Sequence, residues 1–129
     1  MSHNMKFPSK LRVSLMPDSI FMTLNESSFC KQRVSGLEGE FLNIISNHFK
    51  FEYDIIVPKE AEYGRNASKG NWIGIMGVLA RDEADLAINW ISMDSDRMGV
   101  VDFGNMYATE EIIYIVENLF IMKYLYLGL

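Results

Sequence analysis

The sequence predicts an α/β fold: a single lobe with a mixed, mostly parallel sheet and helices packed on its faces. Three observations carry that expectation. Short apolar runs with strand character alternate along the chain with stretches of helical periodicity. Strands separated by helices pair in parallel, because a crossover of that length returns the chain to the same end of the sheet. No internal repeat and no linker divides the 129 residues. Residues 11–116 therefore read as one lobe, between an N-terminal tail (1–10) and an apolar C-terminal tail (117–129).

The elements follow in order. Leu11 to Met16 alternates apolar and polar side chains and meets Pro17-Asp18, a strand closed by a turn. Asn25 to Gly36 is rich in Ser, Gly and charge and is expected to be a loop. From Gly39 to Lys50, Phe41, Leu42, Ile45 and Phe49 share one face, with Ile44 beside them. Glu40, Asn43, Asn47 and Lys50 fall opposite, which makes this an amphipathic helix. His48 projects to the apolar side and is expected to be partly buried and hydrogen-bonded.

Glu52 to Val57, rich in β-branched and aromatic residues and stopped by Pro58, is a strand. Tyr63 to Gly70 should be a surface loop. Trp72 to Ala80 places Met76, Leu79 and Ala80 at helical spacing, although Gly74 and Gly77 weaken a helix there. Trp72 itself is assigned to the core. Asp85 to Ile88 is a short strand, Asp94 to Val101 a helix, and Ile112 to Val116 a last strand.

Composition removes several function classes. The formal charge is −5, with 12 Lys+Arg against 17 Asp+Glu and no basic run. A nucleic-acid surface working by counterion release is therefore not expected. One cysteine, Cys30, leaves no internal disulfide and no cysteine zinc cluster, and His3 and His48 are too few for a multi-histidine metal site. No metal or cofactor is predicted. Met1 to Lys10 lacks the apolar centre of a secretory signal. Leu119 to Leu129 is apolar apart from Lys123 and Gly128, but a spanning helix needs about 20 such residues. Asn25-Glu26-Ser27 and Asn66-Ala67-Ser68 are candidate N-glycosylation triplets if the chain reaches a secretory lumen.

The stretch from Ala84 to Phe103 carries the chemistry. A strand runs into a polar corner that opens a helix, and ligands of α/β sheets gather at the carboxyl ends of strands. The first N–H groups of a helix lack internal partners and suit an anion. Asp94 is the N-cap candidate, Ser92 precedes it with a hydroxyl and an N–H, and Arg97 lies in the first turn. A guanidinium is mildly disfavoured there by the helix dipole. Taken alone, Arg97 is expected to pair with Asp94 or Asp96; a bound carboxylate would instead take a bidentate pair from its forked donors.

Three blocks, in this order, resemble the ligand-binding domain of ionotropic glutamate receptors, specifically its membrane-distal first half. They are Glu38-Gly39, then Glu62-Tyr63-Gly64 with Gly70-Asn71-Trp72-Ile73-Gly74-Ile75-Met76-Gly77, then Asp85-Leu86-Ala87 through Arg97 to Val101-Asp102-Phe103. The resemblance covers the chain from about Leu11 to Val116. It implies one lobe of a periplasmic-binding-protein-like clamshell and assigns site residues. Arg97 would grip the α-carboxylate of an amino-acid agonist. Ser92 stands where the family has a threonine whose hydroxyl and N–H bind the same carboxylate. Trp90 replaces a proline whose carbonyl accepts from the ligand ammonium, a divergence similar to the variant ionotropic receptors of arthropods. Tyr63 would roof the ligand, and Glu38 would stand at the cleft edge.

The resemblance further implies a ligand-gated cation channel at the cell membrane, with this segment extracellular and the parent receptor oligomeric. The partners expected are a small amino-acid or carboxylate ligand, a second lobe and a pore, and the chain is expected to be truncated before the last two. A lobe of a bacterial-type amino-acid-binding transport protein is the alternative, since that class shares the carboxylate-binding arginine. An enzyme is not expected: Ser14, Ser92 and Ser95 lack a histidine partner by motif, and Cys30 has no evident base.

Overall fold

A computed structural model of the chain describes residues 6–17, 21–25 and 33–105. The expected last strand at Ile112–Val116 and the tail from residue 117 lie outside the described residues.

Strand β1 (Lys10–Ser14) is the middle of a three-stranded parallel sheet. It takes that place because Val13, Ser14 and the following Leu15 are fully buried, so neither face of its carboxyl end meets water. Strand β4 (Glu52–Ile56) pairs along its whole length, Lys10 opposite Glu52 through Ser14 opposite Ile56. On the other side β7 (Leu86–Ala87) pairs only at Val13 and Ser14. The parallel arrangement is the one that strand–helix alternation predicts.

Helix α1 (Leu37–Phe49) leads into β4. It starts two residues before the expected Gly39, because exposed Leu37 adds nothing to the apolar periodicity that marks a helix from sequence. It stops at Phe49 because Lys50 turns left-handed, with φ 60°. Only Leu42 of the expected apolar face is fully buried, and Ile45 packs on the core cluster of Val13, Leu15, Met22, Val34, Leu42, Phe51 and Ile88. Phe41 and Phe49 stay at the surface, 38% and 49% exposed, the latter stacked on Phe7 at 4.9 Å. His48 corrects its expectation: in the last turn of the helix it is exposed and meets the Phe49 ring edge-on.

Two short hairpins were not visible in the sequence. Strand β2 (Thr23–Leu24) pairs antiparallel with β3 (Val34–Ser35), so the far end of the expected 25–36 loop is strand. Val34, fully buried, seats this hairpin against α1. Strand β5 (Asn66–Ser68) pairs with β6 (Asn71–Trp72) around a two-residue turn, within and just past the expected 63–70 loop. Trp72 is buried, as its core assignment anticipates. Helices α2 (Gly74–Ala80) and α3 (Ser95–Met98) fall inside the predicted segments but are shorter.

Candidate functional site: an anchored arginine beside the Tyr63 loop

The carboxyl ends of β1, β4 and β7 lie at one end of the sheet, and the chain segments leaving them build the site. Asp94 caps α3, its Oδ1 accepting from the Arg97 N–H at 2.8 Å. That cap fixes the first turn of α3 and turns the Arg97 side chain back over the residues before the helix. Its guanidinium is largely enclosed, with 15% of the side chain exposed. Nη1 donates to both the carbonyl and the hydroxyl oxygen of Ser92 at 2.9 Å. Nη2 donates to the Gly64 carbonyl at 2.9 Å, bridging 33 residues of sequence. Asp94 Oδ2 stands 3.4 Å from Nε.

The Gly64 carbonyl is presented by a loop clamped onto α2. The free N–H groups at the start of α2 are met from this loop: Gly74 N–H donates to Glu60 Oε2 at 3.4 Å, Ile75 N–H to Glu62 O and Met76 N–H to Tyr63 O. So close an approach demands glycine on both partners. Gly74 has φ 67°, and a Cβ there would lie 2.3 Å from the Glu62 carbonyl oxygen. Gly64 has φ 131°, and a Cβ would lie 2.4 Å from Met76 Cβ. The Glu62-Tyr63-Gly64 and Gly74-Ile75-Met76 motifs are thus two halves of one contact, and Tyr63 is held half-buried by it.

Tyr63 also borders a cavity of about 460 Å³ between the segments that leave β1 and β4, with Met16, Pro17, Val57 and Pro58 among its walls. Arg97, Ser92, Trp90 and Glu38 do not line this cavity. Asn89, which does, is a residue the sequence reading passed over. It is buried, its Oδ1 accepts from Met16 N–H at 2.7 Å, and its Nδ2 donates to Met16 O at 3.0 Å. The Asn89 amide thereby takes the place of a peptide group and extends the β1–β7 ladder by one step past Ser14 and Ala87. The main chain from Trp90 to Ser92 is left outside the sheet. A polar residue set between the apolar pairs Ala87-Ile88 and Trp90-Ile91 was the available signal.

The other two expected residues form a second group. Trp90 stacks on Phe21 with ring centroids 4.5 Å apart and planes 19° from parallel. The Phe21 carbonyl accepts from the Glu38 N–H at 2.9 Å. Glu38, which the resemblance would place at the cleft edge, is fully buried in the first turn of α1. The segment bearing Phe21 meets it through that N–H, a tertiary contact that a first-turn glutamate does not announce. The fold therefore unites Arg97 and Ser92 with the Tyr63 loop, and ties Trp90 to Glu38 through Phe21. Asn25 and Asn66 lie in hairpin segments, half-buried and exposed respectively.

Comparison with known proteins gives a consistent result. A family model described as "Ligated ion channel L-glutamate- and glycine-binding site" matches residues 9–119. The chain is 32% identical over 98 residues to "Glutamate receptor ionotropic, delta-2" of Homo sapiens, covering 75% of this chain and 10% of that protein. It is 32% identical over 91 residues to "Probable glutamate receptor" of Anas platyrhynchos, covering 68% of this chain and 19% of that protein. It is also similar to "Glutamate receptor 2" of Caenorhabditis elegans, 28% identical over 87 residues, with 67% and 9% covered. The chain thus spans 9–19% of the length of these relatives.

Proposed function

The chain belongs to the ionotropic glutamate receptor family, in its glutamate- and glycine-binding region, and from that premise we propose that it takes the α-carboxylate of a small amino acid at Arg97. The family is one of ligand-gated channels rather than enzymes, and its ligand-binding domains are extracellular parts of membrane receptors. In this reading residues 11–116 are the first lobe of a two-lobed extracellular domain. A second lobe closes over the ligand, and closure pulls on a cation pore in an oligomeric receptor. Ligand binding gates such a channel only through its differential affinity for the open and closed clamshell.

One observation carries the reading: a largely enclosed guanidinium held at 2.9 Å by Ser92 and by the loop that bears Tyr63. Fixing the fork in advance removes the rotamer entropy that binding would otherwise cost. The Ser92 hydroxyl accepts from Arg97 and keeps its own proton, which it can donate to a carboxylate oxygen. A carboxylate arriving at the guanidinium competes with Asp94, whose 3.4 Å contact is the loosest around it. The Trp90 carbonyl accepts from the ligand ammonium, while its indole is held by stacking on Phe21. A lobe alone leaves the ligand wet on one side, so affinity on the order of millimolar is expected.

The test titrates the 129-residue chain with glycine and with L-glutamate while observing backbone amide resonances. Shifts centred on Gly64, Ser92 and Arg97 are expected for at least one of the two. Arg97→Ala abolishes them, and Ser92→Ala weakens binding by about 1 kcal/mol, one hydrogen bond. Binding that survives Arg97→Ala unchanged, or no response to either amino acid, overturns the assignment.

A further inference from the structure

The β5–β6 hairpin is not used by the ligand site, yet it carries one of the two glycosylation triplets. Asn66, Ala67 and Ser68 are all exposed. The turn between the strands is Lys69-Gly70, with Ser68 paired to Asn71 and both turn residues at positive φ, 40° and 84°. Two consecutive left-handed residues make the tight hairpin turn that matches strand twist. Asn66 supports it from the side: its Oδ1 accepts from the Gly70 N–H at 3.1 Å. Among the described residues no hydrogen bond engages Asn66 Nδ2 or the Ser68 hydroxyl. The amide oxygen is used by the fold, and the amide nitrogen faces water.

That division is what an N-linked sugar requires. The glycosidic bond forms at Nδ2 and leaves the carbonyl oxygen an acceptor, so the Gly70 contact survives modification. Asn25 is placed differently. It is half-buried, and its Oδ1 lies 3.5 Å from the Ser35 hydroxyl across the β2–β3 hairpin that packs on α1. Half-buried Asn25 gives a bulky sugar less open space than exposed Asn66 does.

We propose that Asn66 is an N-glycosylation site of this lobe and that Asn25 is not. The donor class is a lipid-diphosphate-linked oligosaccharide. Nδ2 of Asn66 bonds to the anomeric carbon as the bond from that carbon to the diphosphate oxygen breaks. The lipid diphosphate leaves with the electron pair, the Nδ2 proton passes to a base of the transferase, and no oxidant or reductant takes part. Ser68 supplies the hydroxyl by which such a transferase recognises the triplet. Because Arg65 O accepts from Ile73 N–H at the base of the hairpin, the sugar stands on a rigid arm two residues beyond Gly64.

The inference rests on the extracellular placement of the chain, but its test does not depend on the ligand. The full chain is secreted from cultured eukaryotic cells behind a supplied, cleavable leader. The denatured, intact chain is then treated with peptide N-glycosidase in heavy-oxygen water, which labels each formerly glycosylated asparagine, and only afterwards cut after its glutamates, so that Asn66 lies inside a peptide beginning at Tyr63. Label at Asn66 and none at Asn25 is expected, removed by Ser68→Ala and retained by Ser68→Thr. An unlabelled Asn66 in the secreted chain, or Asn25 labelled to the same extent, overturns the proposal. Peptide mapping of the unaltered chain gives this answer even if a variant misfolds. A glycan at Asn66 without any amino-acid response separates failure of the binding assignment from failure of this one.

Discussion

Arg97 shows how two local expectations combine. Read alone, it was to pair with a neighbouring acid; by resemblance, it was to present a fork to a ligand. In the structure Asp94 caps the N–H of Arg97 and flanks its Nε, while both terminal nitrogens are held by Ser92 and Gly64. The acid orients the arginine without enclosing it. Asn89 is the residue-scale feature that sequence reasoning missed, and it leads to a sharp expectation. Asn89→Ala removes a paired amide contact and strands the N–H and carbonyl of Met16, both part-buried at the sheet end. Leaving such groups unsatisfied costs about 1–3 kcal/mol. Urea denaturation should show that loss, with Asn89→Asp retaining part of it because a carboxylate still accepts from Met16 N–H. An unchanged midpoint for Asn89→Ala would show that the contact contributes nothing.

At the scale of elements, the motifs that support the resemblance prove to be scaffold. The start of α2 is capped by the carbonyls of Glu62 and Tyr63, and Gly74 is the residue that lets them come so near. Gly74→Ala forces a Cβ into a left-handed residue, a cost of about 1–2 kcal/mol before the clash with Glu62 is counted. The expected outcome is a lower melting temperature together with displaced amide resonances at Tyr63 and Gly64. Displacement without destabilisation, or neither, would contradict the clamp. Element legibility followed length and pattern. Helix α1 and strand β4 carry several periodic residues each and were read to within a residue or two. The hairpins did not stand out, because two- or three-residue strands such as Val34–Ser35 and Asn66–Ser68 have too few positions for a period to show.

At the scale of the whole molecule, the narrow side of the sheet is fastened by charge as well as by ladder. Arg12 in β1 donates from its N–H and its Nε to Asp85 Oδ2, at 2.7 and 3.2 Å, and from Nη2 to Asp85 Oδ1 at 2.8 Å. The Arg12 side chain and N–H hold the Asp85 carboxyl below its ordinary value; likewise the Arg81 guanidinium lowers Glu83. A carboxylate lowered on folding contributes stability above its unfolded pKa of about 3.9 and loses it as pH falls through the lower folded value. Asp85→Asn should therefore reduce stability most near neutrality. The gap between the urea midpoints of the two proteins should close as pH drops below about 3.9. A gap independent of pH would mean that the pair acts by shape alone. Both groups are partly in water, so the gap is expected to be modest.

Strand–helix alternation and helical periodicity, which are local properties of the chain, were enough to anticipate the parallel α/β plan and the core helix, whereas Arg97, Ser92 and Tyr63 were named as site residues only by resemblance to the family. Tertiary structure alone decided that Glu38 is buried, that His48 is exposed, that Trp90 rests on Phe21, and that Gly64 holds Arg97 from 33 residues away. Each of these depends on which distant segment covers a position, and chain topology sets that rather than the neighbours in sequence.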